Sequence, residues 1–228
     1  MTFKQVTLSD YVARDDTIEN LCRGKRVLHL GCVGFTDCPV EQKILLARQS
    51  LHQRLSDAAD CLGIDLDRET VTQLQTRGVF QNVVIGDAER LDELPRDLKP
   101  FDLVVAGDII EHLSNPGKML EGIKPRLKPD GRLIVSTPNS LGLPAYLRHL
   151  TGRFHEGLQH VVSFNAINLT QLLERHGYRV AEFRSCYQDN AHRHGVLFHA
   201  GRTFFKWFPK FGGTLLLVAR LESPTNFA

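Results

Sequence analysis

Glycines and polar side chains follow four successive apolar runs of this 228-residue chain, at the point where each run ends. The first run leads into a turn with Gly31 and Gly34, and the second ends at Asp65. Glycine lets a backbone pass close to a ligand, and a carboxylate can accept hydrogen bonds from both hydroxyl groups of a ribose. A tight turn without a ligand explains the glycines equally well. We assign the ribose contact to Asp65 and the cap of the following helix to Asp67.

The third and fourth runs end in comparable groups. Asp87 and Ala88 follow the third run, where the carboxylate suits an adenine amino group and Ala88 offers a backbone N–H. Asp108, Glu111 and His112 follow the fourth run. Carboxylates at this place suit the amino-acid end and the positive sulfonium of a cofactor. Taken singly, these residues also fit a surface turn and a polar helix start.

The elements that must position these residues are strands alternating with helices. Short runs rich in Val, Ile and Leu recur with amphipathic segments between them, which predicts a mostly parallel sheet. The ends of parallel strands meet at one sheet edge, so the four polar groups are expected to share one crevice, and their joint occurrence favours a ligand. The predicted strands cover residues 26–30, 62–65, 83–86, 103–106, 132–136, 178–186 and 214–221.

Capping signals predict where two of the helices begin. Asp67 precedes the first of them, and the pair Asn115-Pro116 the second. A further helix is predicted from Asn165 to His176, ended by Gly177. Tyr11 is expected in an N-terminal helix. Because no linker or repeat divides the chain, we predict one domain over residues 1–228.

Two connections are long for a compact domain, residues 137–164 and 187–213. Long ordered loops are often lids or binding loops. We therefore expect the substrate to bind there.

Composition narrows the class of protein. The net charge of +2 creates no overall field that would recruit nucleic acid or an anionic membrane. Five cysteines, an odd number without a Cys-x-x-Cys pair, predict a reduced cytoplasmic protein rather than a disulfide framework or a zinc site. No apolar run approaches the roughly 20 residues of a membrane-spanning helix, so no stable membrane insertion is expected.

The series VLHLGC, GID, GDAE, FDLVVAGDIIEHL and LKPDGRLIVSTPN resembles a class I S-adenosylmethionine-dependent methyltransferase of the small-molecule type. The resemblance implies an α/β, Rossmann-like sheet of seven mostly parallel strands, with helices on both faces and an antiparallel last strand. It also implies S-adenosylmethionine as cofactor and a small-molecule methyl acceptor. The residues expected to bind the cofactor are His29, Gly31, Asp65, Asp87, Ala88 and Asp108.

The chain departs from this family in the first turn. The family usually has an acidic residue where His29 stands, and glycines where Val33 and Phe35 stand. The interval from Gly31 to Asp65 also exceeds the roughly 20 residues of a dinucleotide-binding unit, which predicts extra structure there. That insertion is compatible with a shield over the cofactor, and also with a domain that has lost cofactor binding.

Methyl transfer needs an aligned nucleophile and a base when the acceptor is a protonated hydroxyl or amine. Histidine suits this role because its pKa lies near neutrality. The first candidates are His112 and His160, although a helix-start hydrogen bond and a loop contact explain them too, and His155 ranks lower. No convergent metal-ligand pattern is apparent, so a solvated loop rather than a metal site is predicted for His192, His194 and His199.

Two other classes of protein share parts of this pattern. A nicotinamide-dependent oxidoreductase would use the same strand-turn-helix and ribose carboxylate, but the GxGxxG pattern is absent. A catalytically silent binding or scaffold protein would explain the unusual residues His29, Val33 and Phe35.

Overall fold

Eight strands form one sheet in the part of the chain that the computed structural model describes. This part comprises residues 4–34, 38–95, 97–152, 156–187 and 196–222, without the side chains of residues 196–199. The strand order is β1-β7-β8-β6-β5-β2-β3-β4. The strands are β1 (Tyr11–Ala13), β2 (Arg26–Leu30), β3 (Asp60–Asp65), β4 (Val83–Ile85), β5 (Phe101–Gly107), β6 (Leu127–Pro138), β7 (Tyr178–Tyr187) and β8 (Thr214–Leu221).

The last strand is the antiparallel one, as predicted. β8 runs antiparallel to both of its neighbours, β6 and β7, whereas the other strand pairs are parallel. All seven predicted strands are present, and the α/β, mostly parallel fold class is confirmed.

The number of strands differs from the seven predicted, because β1 forms where the sequence predicts an N-terminal helix. This three-residue strand pairs in parallel with β7 at the sheet edge, with Tyr11 opposite Ser185. The ring of Tyr11 packs against Tyr187 and Phe205, with centroids 5.3 and 5.1 Å apart. So short a strand carries no alternation of its own, and its partners lie at the other end of the chain.

Helices begin where the capping residues predict. The side chain of Asp67 accepts from the backbone of Thr70 at 3.0 Å, and that of Asn115 accepts from Lys118 at 3.1 Å. Asn165 forms a capping box. The helices are α1 (Arg14–Cys22), α2 (Val40–Ala47), α3 (Leu51–Ala58), α4 (Arg68–Thr76), α5 (Pro116–Ile123), α6 (Leu143–His149), α7 (Ala166–Arg175) and α8 (Val196–Trp207).

Helices cover both faces of the sheet. Buried residues of α5 and α7, among them Met119 and Leu173, form one core with alternate strand residues such as Leu28. Ile18 of α1 joins a second core with Val27 on the opposite face. Helices α2 and α3 supply the extra structure expected between β2 and β3. Among the helices that the structure describes, none combines the length and apolar character that crossing a membrane requires.

Two buried histidines face each other beneath the sheet. The Nδ1 atoms of His29 in β2 and His52 in α3 lie 3.3 Å apart. Burial lowers the pKa of His52 to about 4. Burial, and then the charges of His52 and Arg14, hold the pKa of His29 well below its ordinary value. The pair is therefore neutral at pH 7.

This pair predicts a loss of stability at mildly acidic pH. Unfolded histidines bind protons near pH 6.5, whereas the folded pair resists protonation until lower pH, so protons favour the unfolded chain. Each histidine contributes up to about 1.4 kcal/mol per pH unit below pH 6.5. Urea unfolding at pH 7, 6 and 5 measures this slope.

The variant His52→Leu isolates the contribution of the pair. We expect a shallower pH dependence than in the unmodified chain, because one titrating group is gone. His149→Leu, at an exposed position, should leave the slope unchanged. Equal slopes for the His52→Leu variant and the unmodified chain would refute this explanation.

Candidate active site

A cavity of about 310 Å³ lies at the carboxyl ends of β2, β3, β4 and β5. The parallel pairing of these strands brings their ends to one sheet edge. The residues expected to bind the cofactor are thus brought together, with one exception. Those that line the cavity are Gly31, Asp65, Asp87, Ala88 and Asp108.

The turn after β2 requires glycine. Gly31 has a φ of +68°, and a Cβ atom there would lie 2.8 Å from Cδ1 of Ile109. A side chain would therefore be strained and would meet a neighbouring wall of the cavity. Gly34, which also lines the cavity, has a φ of +61°. These two positions keep the backbone open toward the ligand space.

The carboxylate of Asp65 is fixed by the backbone. Its Oδ2 accepts from the N–H of Val33 at 2.9 Å, and its Oδ1 accepts from the N–H of Asp67 at 2.9 Å. Burial raises the pKa of Asp65, although these backbone bonds favour its charged form. A carboxylate has about four acceptor positions, so both oxygens can still accept from ligand hydroxyls. Asp67 caps α4 and pairs with Lys43 at 2.7 Å, as a separate function.

Asp108 is held at the end of β5 in a left-handed conformation, with a φ of +50°. Its Oδ1 accepts from the hydroxyl of Ser136 at 2.7 Å, and its Oδ2 lies 3.3 Å from Nε of Arg14. Burial lowers the pKa of Arg14, but Asp108 and Asp15 outweigh burial and leave that pKa above its ordinary value. Gly107 makes room for this guanidinium, because a Cβ there would lie 2.7 Å from Nη2.

His29 is the exception, and its assignment to the cofactor site is corrected. It does not line the cavity, and it is 3% exposed. Alternate residues of a strand point to opposite faces of the sheet, and His29 points toward α3, where it meets His52. It is a core residue two positions before the turn that contacts the cavity.

A second cavity, of about 400 Å³, lies near the first, because Glu111, which lines it, is next in sequence to His112, which lines the first. Except for Glu111 and Gly213, its lining comes from the connection 137–164, where substrate binding is expected. Helix α6 and the loop 156–164 form two of its walls. The other long connection, 187–213, contains α8, which contacts β1 at the sheet edge.

Two histidines stand where the cavities meet. His112 lines the first cavity and His160 the second, and their rings pack edge to face with centroids 4.6 Å apart. Both predicted catalytic candidates therefore lie at the boundary. The Nδ1 atom of His160 is 2.8 Å from Oε1 of Glu156, which leaves Nε2 as its available nitrogen.

Glu111 completes this boundary from below. Its Oε2 accepts from the hydroxyl of Thr137 at 2.9 Å, while its buried Oε1 has no hydrogen-bond partner among the described residues. Burial, with the charge of Asp108 second, raises the pKa of Glu111 to about 7. Its main-chain oxygen accepts from Val161 at 2.9 Å and Val162 at 3.2 Å, which fixes the loop that carries His160.

Sequence reasoning missed Arg14, Lys43, Thr137 and Glu156. The first three contact residues distant in sequence, so no local pattern identifies them. Glu156 lies four residues before His160, and that spacing is a usable signal for a carboxylate–histidine pair. His155, His192 and His194, and the side chain of His199, lie outside the described part of the chain.

A larger concavity, of about 1000 Å³, lies along α5 and is lined by Glu89, Asn115, Glu121 and His176 among others. None of the predicted site residues line it. We place the candidate site in the two smaller cavities, because glycine turns and converging strand ends surround them.

A mostly parallel α/β sheet with an antiparallel final strand, and a ligand cavity across four strand ends, defines the architecture of a class I methyltransferase. A family model described as a methyltransferase domain matches residues 9–182, and the chain belongs to this family. This match confirms the resemblance to class I S-adenosylmethionine-dependent methyltransferases that the sequence indicates.

Curated relatives match the chain over parts of their length. A ubiquinone biosynthesis O-methyltransferase of Coxiella burnetii is 25% identical over 131 residues, which are 57% of this chain and 50% of the relative. A probable S-adenosylmethionine-dependent methyltransferase of Mycolicibacterium smegmatis is 31% identical over 121 residues, 53% of this chain and 44% of the relative. The chain thus spans about half the length of these relatives.

Solved structures agree with the fold. A magnesium protoporphyrin IX methyltransferase from Synechocystis, with bound SAH, superposes with a TM-score of 0.54 at 15% identity, covering 92% of this chain and 82% of that one. A Clostridium acetobutylicum S-adenosylmethionine-dependent methyltransferase gives 0.56 at 13% identity, covering 92% and 89%. At such identities the likeness concerns the fold alone.

Proposed function

We propose that this chain transfers the methyl group of S-adenosylmethionine to a hydroxyl oxygen of a small molecule. The observation that carries the proposal is the adjacency of two cavities, with His112 and His160 at their boundary. One cavity fits an adenosyl ligand, and the other opens beside it for an acceptor. For this reaction the protein mainly has to align the two reactants and exclude water.

The lining of the first cavity fits the parts of the cofactor. Gly31 leaves space for the methionine moiety, Asp65 accepts from the ribose hydroxyls, and Asp87 with Ala88 holds the adenine. Asp108, fixed by Arg14, faces the amino-acid end. When bound, S-adenosylmethionine supplies a methyl group that its sulfonium activates for displacement.

The second cavity would hold the acceptor. The connection 137–164, which lines most of this cavity, is the proposed acceptor-binding segment. Its loop 156–164 forms two backbone hydrogen bonds with Glu111. His112 and His160 are the proposed catalytic residues, because an oxygen between the cavities would contact both imidazoles. The O-methyltransferase names of relatives support oxygen rather than nitrogen as the methylated atom.

Methyl transfer from isotopically labelled S-adenosylmethionine tests this proposal. We expect the label on oxygen when small phenols and catechols are supplied, and little label on matched anilines. Filling the acceptor cavity by Ala145→Trp should reduce acceptor turnover at least tenfold, while S-adenosylhomocysteine affinity measured by calorimetry changes less than twofold.

Leu147→Trp provides the matched control, because Leu147 is on the same helix but does not line the cavity. It should leave turnover unchanged. Label on nitrogen alone would overturn the choice of acceptor atom. Absence of S-adenosylmethionine binding would overturn the enzymatic proposal and favour a silent binding protein.

A further inference from the structure

We propose that Glu111, His112 and His160 bind a divalent transition-metal ion at the boundary of the two cavities. Each residue offers one ligand atom, and these three atoms lie within 4.8 Å of one another. Small side-chain movements bring donors at such separations to the roughly 2.0–2.2 Å that nitrogen and oxygen ligands adopt around zinc. No pattern in the sequence indicated this site.

The donor set indicates the class of ion. Two imidazoles and one carboxylate suit zinc, manganese or ferrous iron, whereas magnesium and calcium prefer oxygen ligands alone. Three protein ligands leave coordination positions open, which is typical of catalytic rather than structural metal sites. The two cavities on either side provide space for a further ligand.

The outer contacts of the cluster match those of metal ligands. Metal-binding histidines usually hold their other ring nitrogen against a carboxylate, as Nδ1 of His160 does with Glu156 at 2.8 Å. The hydroxyl of Thr137 orients Oε2 of Glu111 in the same way. Oε1 of Glu111 is buried without a hydrogen-bond partner among the described residues, and a cation would satisfy it.

Local structure holds the donors together although they are distant in sequence. Glu111 and His112 lie on one 3-10 turn that follows β5. The loop of His160 is fixed to this turn because the N–H groups of Val161 and Val162 donate to the main-chain oxygen of Glu111. The site is therefore preorganised before an ion arrives.

The catalytic use of this ion rests on the proposed function, with His112 and His160 acting on the acceptor through the ion instead of by direct contact. An acceptor hydroxyl at an open coordination position would lose its proton to solvent more readily, because the cation stabilises the resulting anion. The oxygen then forms the bond to the methyl carbon, while the carbon–sulfur bond breaks and its electron pair stays on sulfur. Metal binding itself does not depend on this reaction.

Calorimetric titration of the chelator-treated full chain with Zn²⁺ tests the inference. We expect one site per chain, and a visible absorption band when Co²⁺ is used instead. Glu111→Gln and His160→Ala should each weaken Zn²⁺ binding at least tenfold. His176→Ala is the matched control, because Nδ1 of His176 forms an equivalent pair with Oε1 of Glu121 at 2.7 Å outside the site. The Zn²⁺ affinity of this variant should equal that of the unmodified chain.

An unchanged Zn²⁺ affinity in the His160→Ala variant would contradict the proposed site. This variant keeps the test decisive even if Glu111→Gln fails to fold, because His160 lies in a surface loop. Absence of binding to the unmodified chain would overturn the site as well. Binding of S-adenosylhomocysteine is measured in the same samples. If the unmodified chain binds S-adenosylhomocysteine but no metal, only the metal site is contradicted. If it does not bind S-adenosylhomocysteine, the proposed function is contradicted.

Discussion

Replacing Asp65 by alanine is expected to weaken S-adenosylmethionine binding at least tenfold. The carboxylate lies in the cofactor cavity and retains acceptor capacity for two ribose hydroxyls after its two backbone bonds. Charge-assisted hydrogen bonds of this kind contribute roughly 1.5–3 kcal/mol each, so the loss of even one of them corresponds to about tenfold to hundredfold weaker binding. Isothermal titration calorimetry with S-adenosylhomocysteine and S-adenosylmethionine measures the change.

Asp60→Ala is the control for this substitution. Asp60 begins the same strand, at the amino end and therefore away from the cavity, and its exposed carboxylate pairs with Arg26. Its removal should leave the dissociation constant within a factor of two. An unchanged constant for Asp65→Ala would remove this residue from the site.

Replacing Arg14 by methionine is expected to lower the free energy of unfolding by about 3 kcal/mol, the low end of the cost of breaking a buried ion pair. Methionine keeps much of the volume but leaves Asp108 without its cation, next to the hydroxyl of Ser136. Asp108 is also in a left-handed conformation that its surroundings must maintain. Urea unfolding monitored by circular dichroism gives the free energy.

Arg54→Met makes the same exchange at a more exposed ion pair. Arg54 contacts Asp16 and Glu19 on the helical surface, and its removal should cost about 1 kcal/mol or less. Similar losses for the two variants would contradict the special role of Arg14. We also expect weaker cofactor binding in Arg14→Met, since Asp108 would no longer be held in place.

Features that depend on adjacent residues were predictable from the sequence. The apolar runs located seven strands, and Asp67 and Asn115 capped helices as expected. Residues directly after strand ends, such as Gly31 and Asp87, meet in one cavity because parallel strands end at a common edge. The assignment of His29 to the cofactor site was wrong because His29 lies within its strand. Side chains alternate between the two faces of a strand, so His29 points to the core on the opposite face.

Features that depend on distant contacts were not predictable. β1 is recognisable only through its pairing with β7, and Arg14 acts on Asp108 from a helix near the start of the chain. Glu111 and His160 approach each other because one loop hydrogen bonds to one turn. Neither residue carries a spacing that indicates the other, so the cluster is visible in three dimensions alone.

A crystal structure of the chain with S-adenosylhomocysteine tests the central claim most directly, namely that the strand-end cavity binds the adenosyl group. We predict that the ribose contacts Asp65, that the adenine lies beside Asp87, and that the sulfur faces His112 and the second cavity. A ligand bound instead in the larger concavity along α5, or one that leaves Asp65 without a contact, would contradict the account.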